Sequence, residues 1–450
     1  NYNYKQRYLL EVNGRYDGSS KFAKDHRYAF FPSVSAAWRI SEENFWQPLK
    51  GWWNDMKIRG SYGSLGNQVM DDLGNFPYLA TYGTNSSYNY LINGSKPVIV
   101  KAPGLVAPDF TWETVTQMDF GFDASFLNNR LTGTFDWYRR NTKDMLVAGA
   151  TLPATLGASV PKSNSADMKT IGWELSLGWN DRLENGFSYW VKGVLSDYQA
   201  TITKYAGNDA GFYSQSDGDG KYYVGQKIGE IWGYHSNGLF QSDDEAATID
   251  QSELYAGKWG AGDVKYEDLD NDGKITKGEE TIYNPGDKSI IGNKTPRYQF
   301  GITVGFDYKN FDFEMFWQGT GKRDYMLSGA QFWGFTSQWD VPYTPALDYW
   351  TETNTDAYFP RPGWQNGGNR VTSDRYLQSA AYGRLKNLTV GYTIPKNLTT
   401  KWGISRLRLY VTGENLLTIT PLNDAFDPET LGGMTYPINR KVAIGLNLTL

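Results

Sequence analysis

Strict alternation of apolar and polar residues recurs along this chain and runs to its last position. From Val442 to Leu450, Val442, Ile444, Leu446, Leu448 and Leu450 share one face, and Ala443, Gly445, Asn447 and Thr449 share the other. Arg406 to Leu417 repeats the pattern, with Leu407, Leu409 and Val411 opposed to Arg408, Tyr410 and Thr412. Phe300, Ile302, Val304, Phe306 and Tyr308 alternate with Gly301, Thr303, Gly305 and Asp307. After Lys309-Asn310, Phe311, Phe313, Met315 and Trp317 alternate with Asp312, Glu314 and Phe316. Successive side chains of a strand point to opposite faces, so this period specifies strands with one apolar and one polar face. Alternation held to the final residue is unusual for a soluble domain, whose termini fray. It suits an all-β transmembrane antiparallel β-barrel, in which the last strand must be paired.

The same signal predicts twelve strands: 4–16, 28–40, 54–64, 112–126, 130–141, 168–179, 186–203, 296–308, 311–320, 379–393, 404–419 and 438–450. The hairpin between 112–126 and 130–141 turns on Asn128-Asn129, residues that accept positive φ. The connections sort by length. Those at 41–53, 127–129, 180–185, 309–310 and 394–403 are short or medium. Those at 65–111, 142–167, 204–295, 321–378 and 420–437 are longer, and 17–27 is the exception. Outer-membrane barrels have short periplasmic turns and long extracellular loops, so 204–295 and 321–378 are expected outside the cell. A soluble sandwich has no reason to sort its loops this way. No tandem period supports a solenoid or propeller, and low complexity is confined to loops such as Gln215 to Lys221.

Composition narrows the chemistry. Aromatics make up 16% of the 450 residues, with 32 Tyr, 17 Trp and 49 Gly, a balance that favours strands and membrane interfaces. No apolar run approaches the length of a membrane helix. Cysteine is absent, which removes disulfides, thiolate metal sites and cysteine nucleophiles. His26 and His235 are the only histidines, which counts against a Ser-His-Asp triad or a His-rich metal site. The net charge of −5 carries no nucleic-acid footprint. The opening Asn1-Tyr-Asn-Tyr reads as the inside of a strand, with no signal-peptide pattern, and the chain is expected to be a fragment or a mature piece.

Several blocks, in order, resemble the C-terminal half of SusC-like TonB-dependent transporters (the SusC/RagA family). They are Tyr16-Asp-Gly-Ser-Ser-Lys-Phe22, Phe31-Pro-Ser-Val-Ser-Ala-Ala-Trp-Arg-Ile-Ser41 with Phe45, the acidic stretch Gly262 to Thr276, Ser373-Asp-Arg-Tyr-Leu377, Tyr382 to Tyr392, Gly413-Glu-Asn-Leu-Leu417, Asp427-Pro428 and Tyr436-Pro437. Two departures are Gln378-Ser-Ala-Ala381, where the family has an acidic run, and a terminal Leu450 in place of Phe. The resemblance implies a 22-stranded barrel with an N-terminal plug in the outer membrane of a Gram-negative bacterium. It implies import driven by the TonB complex beneath a SusD-like lipoprotein lid. Twelve strands cannot close such a barrel, so the plug, the TonB contact and roughly ten strands would lie upstream.

Two stretches carry candidate chemistry. Asp268-Leu-Asp-Asn-Asp-Gly-Lys-Ile-Thr-Lys-Gly-Glu279 matches the calcium-loop pattern D-x-[DN]-x-[DN]-G-x5-E. Asp268, Asp270 and Asp272 would supply side-chain oxygens, Lys274 its carbonyl, Thr276 a direct or water-mediated ligand and Glu279 a bidentate closure, with Gly273 permitting the turn. The competing reading is an acidic solvated turn. The 321–378 loop is aromatic-rich. Tyr325, Trp333, Trp339, Trp350 and Trp364, beside Asn366, could stack on and hydrogen-bond a sugar. They could equally pack the loop on itself or against a partner. Trp38, Trp52, Trp53, Trp137, Tyr138, Trp173, Trp179, Trp190 and Trp317 are expected in interfacial girdles. Asp136, Glu174, Glu314, Arg384 and Arg408 are expected on a solvated or plug-facing inner wall, and no carboxylate pair stands out as catalytic.

The resulting expectation is not an enzyme. It is the barrel part of an active importer of a glycan or oligosaccharide, or of a peptide, in contact with outer-membrane lipids. Two alternatives stay open: a secreted carbohydrate-binding protein or glycosidase, and a passive porin or adhesin barrel.

Overall fold

The computed structural model describes all residues except 69–74, 86–90, 93, 97, 102, 108–109, 149–152, 154, 156, 158–159, 214–221 and 432–435. The Gln215 to Lys221 tract therefore lies outside the described residues. One antiparallel sheet dominates. Its strands are β1 (Tyr2–Tyr4), β2 (Tyr8–Gly18), β3 (Tyr28–Arg39), β4 (Trp53–Asn67), β5 (Glu113–Phe126), β6 (Leu131–Ala148), β7 (Lys162–Arg182), β8 (Ser188–Tyr205), β9 (Arg297–Tyr308), β10 (Phe311–Lys322), β11 (Tyr382–Thr393), β12 (Arg406–Ile419) and β13 (Lys441–Thr449). They pair in strict chain order, with β1 and β13 at the two edges.

Each predicted strand is present, and the first is divided. Lys5 (φ 50°) and Gln6 (φ 59°) make a tight turn between β1 and β2, with Gln6 N donating to Asn3 Oδ1 at 2.9 Å. Arg7 N donates to Tyr4 O at 2.9 Å, so Lys5 and Gln6 are the centre of a β-turn within the three-residue connection 5–7. Lys and Gln are not turn formers, so alternation alone reads this segment as one strand.

The register aligns one polar and one apolar face across the whole sheet. Val12 pairs with Val34, Val34 with Tyr62, Tyr62 with Met118, Val304 with Met315, Val390 with Val411 and Val411 with Ile444. Apart from the half-buried Val304 and Met315, these apolar side chains are exposed, with Val12 at 65% and Ile444 at 84%. A wide exposed apolar band on a many-stranded sheet is the lipid-facing surface of a membrane barrel. The opposite face is polar, and several of its charges are paired. Arg59 Nη2 donates to Asp136 Oδ2 at 2.7 Å, and Lys57 lies 2.7 Å from Asp123. Arg408 Nε donates to Asp312 Oδ1 at 2.8 Å.

Two residues expected in the girdles sit on the polar face instead. A Cβ at Gly172 or Gly305 would fall within the ring of Tyr138 or Trp190. Each ring therefore covers a glycine on the neighbouring strand. At the short-turn end, Trp46, Trp52, Trp53 and Phe126 do cluster, with the Trp46 and Trp53 rings 4.7 Å apart edge to face.

Loop lengths sort as the sequence implies. The connections after β1, β3, β5, β7, β9 and β11 lie at one end and are the shorter set, with 19–27 at the other end the exception. Segments 68–112, 206–296, 323–381 and 420–440 lie at the other.

Candidate functional site

The long segments 206–296, 323–381 and 420–440 fold together into a cap with its own core. Short strand pairs organise it, Glu230–Tyr234 with Lys288–Asn293 and Ser236–Leu239 with Val264–Tyr266. Tyr234, Tyr266, Phe332, Tyr376 and Leu431, drawn from all three segments, are buried in one cluster. Such burial lets these segments hold a fixed shape although they lack long regular elements.

Four of the six residues expected to face a ligand are built into this cap. The Trp333 ring stands edge-on to Tyr376 at 4.6 Å. Tyr325 and Trp350 pack against the same core. Asn366 is buried, and its side chain accepts from Gly368 N at 3.0 Å, closing a single helical turn. Trp339, 83% exposed, and Trp364, 45% exposed, remain at the surface.

The acidic loop is tightly wound. Asp268 Oδ2 accepts from Gly273 N at 2.8 Å, and Asp272 Oδ1 accepts from Lys274 N at 2.8 Å. Gly273 sits at φ 83°, the conformation the pattern reserves for glycine. Carboxylate oxygens of Asp268, Asp270 and Asp287 lie within 4.8 Å of one another. Asp287 is fully buried, and it accepts from Leu269 N at 2.8 Å and Thr276 N at 2.7 Å. The pattern-based reading missed it. Residues 277–286 form a pinched excursion in which Gly278 and Gly286 touch backbone to backbone, so Asp287 N bonds Thr276 O at 3.1 Å. The buried carboxylate that meets Asp268 and Asp270 is thus Asp287. Glu279 lies on the excursion, its N–H bonded to Asn284 O at 3.0 Å. A fixed twelve-residue pattern carries no signal for a carboxylate delivered across such a pinch.

Arg384 departs from the expected solvated wall. It is 2% exposed. Its Nε donates to Thr418 Oγ1 at 2.8 Å, its Nη1 to Glu429 Oε1 at 2.9 Å and its Nη2 to Asp427 Oδ2 at 2.5 Å. The 420–440 segment is thereby tied down onto the polar wall.

A continuous antiparallel sheet, apolar outside, charged inside and capped at one end, is matched by a known family. The profile of the TonB dependent receptor-like β-barrel family covers residues 1–416. The chain belongs to this TonB-dependent receptor family. TonB-dependent receptor P26 of Formosa agariphila is 30% identical over 469 aligned positions, which span all of this chain and 45% of that protein. TonB-dependent receptor SusC of Bacteroides thetaiotaomicron is 28% identical, again over the whole chain and 43% of its own length. The chain thus spans somewhat under half the length of these relatives. Among solved structures, one described as the RagAB peptide transporter superposes with a TM-score of 0.76 at 22% identity, covering 98% of this chain and 46% of that one. That likeness establishes the fold. The SusC-like resemblance is borne out, and the family places this TonB-dependent receptor barrel in the Gram-negative outer membrane.

Proposed function

We propose that the protein carrying this chain imports an oligosaccharide across the outer membrane, energised through TonB and assisted by a SusD-like surface lipoprotein. The observation that carries this reading is the gathering of segments 206–296, 323–381 and 420–440 into one packed cap over a charge-lined wall. Such an arrangement suits capture at one mouth of a conduit, and translocation itself requires binding and release, not bond-making chemistry. The cap would face the cell exterior. Trp339 and Trp364, both exposed on the cap, are among the aromatics free to stack on a sugar face. Trp333, Tyr325 and Trp350 would support them from below. The SusC relative's description as a TonB-dependent receptor supports the TonB coupling.

A peptide substrate is the second reading, favoured by the description of the RagAB neighbour as a peptide transporter. Uptake of fluorescent oligosaccharide and peptide mixtures by cells with and without the gene decides between them. Import of one class, lost on TonB deletion or collapse of the proton-motive force, is expected. Uptake that persists without TonB contradicts the reading and favours a passive pore. Trp339→Ala is expected to weaken capture at unchanged stability, whereas Trp333→Ala is expected to loosen the cap.

We also propose that Asp268, Asp270 and Asp287, with Asp272 and the Lys274 and Thr276 backbone nearby, hold calcium. A hard cation wants six or more converging oxygens. The ion would stiffen the cap segment 206–296.

A further inference from the structure

We propose that Ser289, His235 and Asp374 form a Ser-His-Asp relay on the cap, making Ser289 a nucleophile toward small acyl esters. The sequence gives no reason to connect them, because 54 residues separate His235 from Ser289 and 139 separate it from Asp374. The fold brings them together. His235 follows the Glu230–Tyr234 strand, and Ser289 lies on the paired strand Lys288–Asn293, opposite Gly233. Tyr234 N donates to Thr372 O at 2.9 Å and Asp374 N to Tyr234 O at 3.1 Å, which fixes the third segment alongside.

The spacings are those of an activated hydroxyl. His235 Nδ1 lies 2.7 Å from Asp374 Oδ2, and His235 Nε2 lies 2.7 Å from Ser289 Oγ. A carboxylate can only accept, so Nδ1 carries the proton. Nε2 of the neutral ring is then left to accept from the Ser289 hydroxyl. The other Asp374 oxygen accepts from Ser236 N at 3.0 Å, so the carboxylate is itself oriented by a backbone donor. This is the logic of nucleophile, base and orienting group in series. His235 and Asp374 are 34% and 40% exposed in their side chains and Ser289 is half-buried, so a small ester approaches from the side of the imidazole.

The chemistry balances without a cofactor. Ser289 Oγ attacks the ester carbonyl carbon as its proton passes to His235 Nε2. The tetrahedral intermediate collapses, the bond to the leaving oxygen breaks, and His235 returns the proton to that oxygen. Water then attacks the acyl-serine, giving its proton to the same nitrogen, and the carboxylic acid departs as Ser289 recovers its proton. An ester is assigned because its alkoxide leaves more readily than the amine of an amide. An acyl group decorating a captured ligand is the matching substrate class. Asp374 is a positioning residue here; Ser289 and His235 meet the reacting atoms.

The test uses the full outer-membrane protein in detergent, a fluorophosphonate reporter and p-nitrophenyl acetate. Labelling is expected on the peptide containing Ser289 and is expected to vanish in Ser289→Ala. His235→Gln keeps hydrogen-bonding capacity but cannot relay the proton, and is expected to slow labelling by about 100-fold or more. Asp374→Asn is expected to slow it and to shift its pH profile. Folding of each variant is checked by heat-dependent migration on gels. An unlabelled wild-type protein between pH 6 and 9 would overturn the proposal, as would a folded His235→Gln variant labelled at the wild-type rate.

Discussion

Arg384 Nη2 lies 2.5 Å from Asp427 Oδ2, in a guanidinium that is 2% exposed. This joins strand β11 to the 420–440 segment, which also delivers Glu429 to Arg384 and Lys386. Removing the buried guanidinium leaves Asp427 and Glu429 partly exposed, with Glu429 still paired to Lys386, so the cost falls below that of a fully buried pair, about 3–5 kcal/mol. Arg384→Ala is therefore expected to free 420–440, seen as new protease cleavage there and an earlier unfolding midpoint, with the rest of the sheet intact. Cleavage resistance equal to wild type would show that the cap core alone holds this segment.

The acidic loop predicts a sharp contrast. Asp270→Ala and Asp287→Ala are expected to abolish calcium uptake in calorimetric titration of EDTA-treated protein. Glu279→Ala is expected to leave it unchanged, because Glu279 lies on the 277–286 excursion while Asp287 meets Asp268 and Asp270. The reverse order of effects would restore the twelve-residue pattern as the ligand set.

Tyr410 on β12 lies over Gly445 on β13, and a Cβ at Gly445 would fall within its ring. The Arg408 guanidinium sits 4.9 Å from the centre of that ring, so displacing the ring disturbs a charged contact as well. Gly445→Val is expected to cost about 1–3 kcal/mol of stability, measured by urea unfolding in detergent. The double change Gly445→Val with Tyr410→Ala is expected to recover part of that loss.

Asp340 sets a pH response in the cap. The hydroxyl and N–H of Thr336, at 2.6 and 2.7 Å, together with Ser337 N–H at 2.7 Å, hold its carboxyl down to about 2. A carboxyl lowered from about 3.9 stabilises the folded turn fully above that value. The contribution is lost as pH falls from about 4 through about 2. A fluorine-labelled Trp339 resonance is expected to stay constant from pH 8 to 4 and to move below it. Asp340→Asn should abolish that movement.

Most of the sheet was legible because each strand carries its own period of two, and a shared apolar face forces the register. The β1–β2 turn was hidden by ordinary residues at positive φ. The girdle expectation failed at Tyr138 and Trp190 because composition cannot say which face a ring takes when a glycine lies opposite. Asp268 and Asp270 were legible from local spacing. Asp287, the Arg384–Asp427 tie and the partners of His235 were not, because each depends on contacts that only the folded loops create. Trp333 and Trp339 stand six residues apart in one loop, yet one packs on the cap core and the other faces solvent.

The most direct test of the barrel wall is a nitroxide scan of residues 300 to 307 in outer-membrane vesicles, feasible because these 450 residues contain no cysteine. Single cysteines at Phe300, Ile302, Val304 and Phe306 are expected to give labels open to dissolved oxygen and closed to an aqueous nickel reagent. Labels at Gly301, Thr303, Gly305 and Asp307 are expected to show the opposite. That two-residue alternation would place the apolar face in lipid and the charged face toward a conduit, whereas equal aqueous access along the strand would contradict a membrane-spanning wall.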